Sequence, residues 1–249
     1  MKAQLPKRLN KEPLLDAVFE LRFNSVAPAS SILPGILFSK LSGEKNIEKL
    51  AAAQIPEQVR AADPNLQFAP VVRLSWGNFV ILISDRSMAV ACKIPYPRWT
   101  AFKSAILESM GHLHDAKIIM AVHRYALKYV DIIPSDSIKE QVSFVNLELS
   151  VGNHKLEQEP FQVKIELPRN GLVNLVQIVS NAEVVTKDKA RKKGIIVDID
   201  TVKNVNNIQI QSLMDVISDE LENMHDTNCE IFFSCLKQET ISLLEPIYE

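Results

Sequence analysis

Glycine is scarce in this sequence: seven residues in 249. Phosphate cradles of the P-loop and dinucleotide-binding kinds need glycines at set spacings, for a tight turn and for close approach of the backbone to the phosphate. Neither pattern occurs, nor does the Gly-x-Ser-x-Gly turn that exposes a nucleophilic serine. Cysteine is scarcer still. Cys92, Cys229 and Cys235 are an odd number with no Cys-x-x-Cys, which reads as reduced thiols in a cytoplasmic compartment and not as a disulfide framework. Long apolar runs are missing as well. Stretches such as Phe79–Ile83 and Ile118–Val122 stop at five residues, against about 20 for a membrane-spanning helix. Met1–Asn10 carries Lys2, Lys7 and Arg8 with no signal-like apolar core after them, so no membrane association is expected. An excess of one charge is also absent. With 28 basic and 30 acidic residues the net charge is -2, so any nucleic-acid contact has to be local.

What is present is the composition of a globular protein: 47% apolar and 23% charged residues. A chain of this length buries about 70–75% of its unfolded surface and needs no staples. In Ala17–Phe23 the residues Phe19, Leu21 and Phe23 alternate with Glu20 and Arg22, the period of a half-buried strand. Ile32, Leu33, Ile36, Leu37 and Leu41 recur at helical spacing within 30–50, with Pro34 expected in the first turn. Strands are predicted over Val71–Trp76, Phe79–Ser84, Met88–Ile94 and His123–Ile133, with an amphipathic helix between the last two on Trp99, Phe102, Ile106, Leu107 and Met110. Further strands are predicted at Val142–Val151, Phe161–Leu167, Leu172–Val179 and Gly194–Ile199, then a long helix from Ile210 to Leu236. Runs of strands closed by helices define an α+β class, with antiparallel sheet and helices packed on one face. One compact unit over 1–249 is expected, with an internal repeat of two sheet–helix halves, 11–133 and 140–242. Phe19, Leu21, Tyr125, Leu127, Val163, Ile165 and Ile217 are expected in the core.

The opening Leu9-Asn-Lys-Glu-Pro-Leu-Leu-Asp-Ala-Val-Phe-Glu-Leu-Arg-Phe23, with Arg124-Tyr125 and Val197-Asp-Ile-Asp200 later, resembles a sporadically distributed prokaryotic family of about this length without an established activity. The resemblance would be full-length. It implies a defence-accessory or antitoxin-like setting and brings no catalytic residues with it.

Candidate sites rest on polar strand faces. Glu20 and Arg22 lie opposite the phenylalanines, Arg124 and Lys128 opposite Tyr125, Leu127 and Tyr129, and Lys164 and Glu166 opposite Val163 and Ile165. Opposite charges on shared sheet faces pair across strands at a fraction of a kcal/mol each. The sharper reading makes Glu20, Arg22, Arg124 and Lys128 a binding face. Arg191, Lys192 and Lys193 close a basic cluster that begins at Lys187. It reads as a solvated hairpin or as a contact to phosphate or to an acidic partner, and no aromatics interleave it for base stacking. Asp198 and Asp200 share a strand face and could contribute to a divalent metal site, although two carboxylates are only part of a six-ligand shell. The histidines lack companions for a zinc shell. Cys92 and Cys235 read as small core residues, and Glu230 beside Cys229 disfavours a thiolate.

The reading these residues support is a non-catalytic binding or regulatory protein acting through protein–protein contacts, a homodimer being one form of them, with no cofactor. A small-molecule or nucleotide sensor with a pocket between the halves is the first alternative. A metal-dependent enzyme using Asp198 and Asp200 is the second.

Overall fold

The computed structural model describes residues 5–64, 66–185 and 191–248. In chain order its elements are β1 (Arg8–Leu9), β2 (Leu14–Ser25), α1 (Ala29–Lys40), β3 (Lys45–Lys49), α2 (Glu57–Ala62), β4 (Val72–Trp76), β5 (Phe79–Ile83), β6 (Ser87–Cys92), α3 (Trp99–Asp115) and β7 (Ile119–Pro134). Then follow α4 (Ile138–Phe144), β8 (Ser150–Val151), β9 (His154–Lys155), β10 (Gln162–Arg169), β11 (Leu172–Val185), β12 (Arg191–Ile208), α5 (Ile210–Met214), α6 (Ile217–Cys235), α7 (Gln238–Leu243) and β13 (Pro246–Ile247). The class is α+β, with extensive antiparallel sheet and helices. No helix among the described residues is long and apolar enough to cross a membrane.

The chain divides into two compact units. One comprises Asp16–Leu127 and Val202–Met224, the other Met1–Leu15, Lys128–Thr201 and His225–Glu249. In the first, the strand order is β7-β2-β6-β5-β4-β3. The alternation in β2 works as its sequence predicts: Phe19, Leu21 and Phe23 are buried, and Arg22 stands opposite Ser87 of β6. Helices α1 and α3 cover the sheet, with Leu33, Leu37, Phe102, Ile106 and Met110 in the core. Pro34 lies past the first turn, inside α1, where it can give no N–H to the Ser30 carbonyl. The predicted helix over 30–50 is too long. Leu41 closes α1, Gly43 turns at φ +84°, and Lys45–Lys49 becomes the edge strand β3, paired with β4. Its sequence Lys-Asn-Ile-Glu-Lys shows no strand signal, because four of its five residues are exposed and no apolar alternation is needed there.

In the other unit the order is β10-β11-β12-β7. Val176, Ile178, Ile195, Val197 and Ile199 form its buried face, against Phe144, Ile231, Phe232, Leu236, Ile241 and Leu244. Of the strand predicted at Val142–Val151, Val142–Phe144 instead ends helix α4, and only Ser150–Val151 is strand, as β8. Ser137 caps α4 by accepting the Glu140 N–H at 3.3 Å, and Ser135 Oγ donates to Glu140 Oε2 at 2.6 Å. The Ser-x-x-Glu spacing of a capping box was therefore legible in the sequence. The long helix from Ile210 is interrupted at residues 215–216, separating α5 from α6.

Two core expectations fail here. Val163 is half-buried and Ile165 is 45% exposed, because β10 is the outermost strand of its sheet. The other five are buried as expected.

Gly194 of β12 is the one glycine with no room for a side chain. A Cβ there would lie 2.3 Å from the Ile133 carbonyl oxygen and 2.9 Å from its carbon. Both atoms belong to strand backbone and cannot swing away. Gly194→Ala should therefore destabilise the protein by about 1–3 kcal/mol, as overpacking does. The same change at Gly35, where a Cβ meets nothing within 4 Å, should be neutral or stabilising by a few tenths. Urea unfolding midpoints compare the two, and equal midpoints would contradict the close approach.

Candidate functional site

A groove of about 390 Å³ gathers Arg22, Arg86, His123 and Arg124 with Phe23, Asn24, Gln67, Phe68 and Asn204. Each side chain arrives there for a local reason. The alternation of β2 turns Arg22 away from the core. The Phe23 N–H donates to the Arg86 carbonyl at 3.0 Å, which fixes the turn before β6 beside the end of β2. Residues 66–70 fold back through bonds from the Leu66 and Gln67 N–H groups to the Asp63 carbonyl, at 3.0 and 3.1 Å, and present Phe68. Strand β7 contributes His123 and Arg124, and the far end of β12 contributes Asn204.

The lining holds three guanidinium groups and no carboxylate. Arg22 Nε donates to Glu20 Oε2 at 2.8 Å, and its guanidinium lies 4.3 Å over the Phe68 ring. Glu20 and Arg22 thus pair along one strand, two residues apart, and not across the sheet as expected from their charges. Glu20 offsets Arg22 and also holds it flat, while Phe68 shields the other side, so the guanidinium edge is held in place. Arg86 is exposed at the mouth, and Arg124 is half-buried. A concave surface of one sign, on a chain that is slightly acidic as a whole, concentrates field on an entering anion. Planar guanidinium groups suit carboxylate or phosphate oxygens, which they bind through paired N–H donors.

The remaining candidate residues lie elsewhere. Lys128, expected on the same face as Arg124, makes a 2.9 Å ion pair with Asp198. Asp198 and Asp200 are both half-buried on the side of β12 opposite Val197 and Ile199. Among the described residues no group of three or more His, Cys, Asp or Glu side chains is placed to hold a metal ion. Arg191 and Lys192 are exposed and Lys193 is half-buried, its carbonyl accepting the Ser135 N–H at 3.1 Å. Lys187 and Lys189 of the same cluster lie outside the described residues.

Sequence reasoning missed two arrangements. Phe68, Arg86, His123 and Asn204 come from four separate segments, and no local pattern marks them. On α6, Cys229 Sγ lies 3.7 Å from His225 Nε2, and His225 Nδ1 is 3.2 Å from the Tyr129 hydroxyl. The i, i+4 spacing of His225 and Cys229 was visible. A Cys–His pair suggests a nucleophile, but burial, with Asp226 and Asp131 nearby, pushes the Cys229 thiol up to about 12. It stays protonated at neutral pH, so the pair supplies no thiolate. Asp131 is itself held protonated, its pKa raised to about 8 by burial and then by the carboxylates of Glu12 and Asp198.

No family model matches the chain, and no curated protein matches it.

Proposed function

We propose that this is a non-catalytic binding protein whose groove at Arg22, Phe68, Arg86 and Arg124 receives an anionic group presented by a partner protein. The observation that carries this reading is the convergence of three arginines, with no carboxylate in the lining, on a concavity of about 390 Å³. Two of them, Arg22 and Arg124, belong to the polar strand face singled out by the sequence. The resemblance to a patchily distributed family suggests an acidic segment of a partner in a defence-accessory or antitoxin-like setting. The protonated Cys229 thiol supports binding over nucleophilic chemistry. The same groove lies within the size range of small-ligand pockets, which keeps an anionic small molecule as the second reading.

The test titrates a short glutamate-rich peptide and, separately, pyrophosphate and a nucleoside triphosphate into the protein by calorimetry. The peptide should bind with an affinity that falls as salt rises. Arg86→Glu, at an exposed position, should weaken binding at least about tenfold, and Arg86→Glu with Arg124→Glu should abolish it, the loss of a charge partner costing roughly 2–5 kcal/mol. The melting temperature of the Arg86→Glu variant should not change. Binding of the phosphates without the peptide transfers the groove to the small-molecule reading. Binding of none of the probes, or peptide binding indifferent to both substitutions, removes the proposal.

A further inference from the structure

Strand β10 ends its sheet, and seven of its eight residues are exposed, the eighth being half-buried. Such an edge is a template for another strand unless something blunts it. Two features determine what kind of strand it can take.

The first is which backbone groups face outward. Phe161 accepts the Ser180 N–H at 3.0 Å, and the β10–β11 register continues without a break from Gln162↔Val179 to Arg169↔Leu172. In an antiparallel ladder, bonded and non-bonded pairs alternate. Val163, Ile165 and Leu167 therefore turn their N–H and C=O groups toward β11, and Gln162, Lys164, Glu166 and Pro168 turn theirs to the open edge. Pro168 fits this assignment, because proline is tolerated in a strand where its missing N–H would face away from the ladder.

The second is the side-chain pattern. Val163, Ile165 and Leu167 share the face of Ile178, Val176 and Asn174, which is the buried face of β11. Ile165 and Leu167 are left largely uncovered, at 45% and 39% exposure. Lys164 and Glu166 point to the other face, one on each side of Ile165.

We infer that β10 is a self-pairing edge, which a second copy of this chain joins in antiparallel register centred on Ile165. In that register Lys164 faces the partner subunit's Glu166, and Glu166 faces the partner subunit's Lys164, each pair exchanging both backbone hydrogen bonds. Ile165 meets the partner's Ile165, and Val163 meets the partner's Leu167. Gln162 donates its N–H to the carbonyl of the partner's Pro168, so the proline falls at the end of the ladder, where its missing donor matters least. Neighbouring registers that keep the apolar face matched are shifted by two residues. One sets Lys164 against the partner's Lys164, and the other sets Glu166 against the partner's Glu166, and like charges directly opposite are destabilising. Charge complementarity therefore selects one register and one kind of occupant: a strand with the same Val-Lys-Ile-Glu-Leu order running the other way, as twofold symmetry supplies. The inference is independent of the arginine groove, which lies in the other compact unit.

The experiment measures dimerisation by sedimentation equilibrium with the full chain. Wild type should associate reversibly to a dimer. Lys164→Glu places glutamates opposite each other and should weaken the dimer at least about tenfold, close to 1.4 kcal/mol. Lys164→Glu with Glu166→Lys restores opposite charges in the same register and should recover wild-type association. Glu166→Pro removes an outward N–H without touching the bonds to β11, and should leave a folded monomer with an unchanged circular dichroism spectrum. A wild type that stays monomeric at every concentration overturns the inference, including the case in which a different protein occupies the edge. So does a dimer that is insensitive to Lys164→Glu, or a double variant no tighter than the single one.

Discussion

Asp85→Ala is expected to destabilise the protein by about 3–5 kcal/mol, the cost of leaving a buried charge without its partner. Asp85 sits in the turn between β5 and β6, and Arg60 on α2 is buried at 6% exposure. Arg60 Nε donates to Asp85 Oδ2 at 2.8 Å and Nη2 to Oδ1 at 3.2 Å. Its Nη1 group donates to the Ala52 carbonyl at 3.3 Å and also to the Ile55 carbonyl, and the Ser30 hydroxyl donates to Asp85 Oδ1. The pair therefore joins α2, the turn at 51–55, the start of α1 and the β5–β6 turn. Removing the carboxylate strands a guanidinium that cannot reach water without moving α2. Arg60→Met with Asp85→Leu should cost much less than Asp85→Ala, since no charge then remains buried. Lys11→Ala, which breaks an exposed pair to Glu245 at 2.9 Å, should cost about 1 kcal/mol or less. Urea unfolding of the three variants orders them. If Asp85→Ala is as mild as Lys11→Ala, the pair is not buried as described.

Asp131→Asn should have a comparably large effect of opposite sign, and one that depends on pH. The Asp131 carboxyl is raised from an ordinary value of 3.8 to about 8, by burial first, then by Glu12 and Asp198. In the folded state it keeps its proton across that window, whereas in the unfolded state it releases it. Stability is therefore greatest below about pH 4 as far as this group is concerned, and is lost as pH rises through 8, by an amount on the order of a few kcal/mol. Asparagine keeps the shape and never ionises. The variant should melt higher than wild type at pH 8, and the difference should shrink toward pH 4. Scanning calorimetry across that range provides the comparison, and parallel curves at all pH values would show that Asp131 is not held protonated.

These two groups illustrate what a linear reading can reach. Asp85 and Arg60 are ordinary polar residues in turn and short-helix sequence, and their burial arises only because four segments close over them. Asp131 looks like an interruption in the apolar face of β7. Its titration is set first by burial and then by Glu12 and Asp198, which come from distant parts of the chain. The groove has the same character. Arg22 and Arg124 stand out because strict alternation puts them opposite large apolar neighbours. Arg86 and Phe68 have no such mark, since loops carry no periodicity to read.

The sequence by itself determined the class of the protein and the positions of most of its longer strands. Period-two alternation with a bulky apolar face leaves a strand only one register that buries its phenylalanines, as in β2. The thiol form of Cys229, expected from Glu230 beside it, has another cause in the structure: burial first, then Asp226 and Asp131, raise its pKa. Tertiary structure alone decided which strands lie at an edge. That is why Val163 and Ile165, patterned as core residues, are only half-buried and exposed, respectively, on β10, and why the polar Lys45–Lys49 is a strand at all. Edge position depends on what packs alongside, and a strand's own residues encode only which face turns inward, not whether anything arrives to cover it.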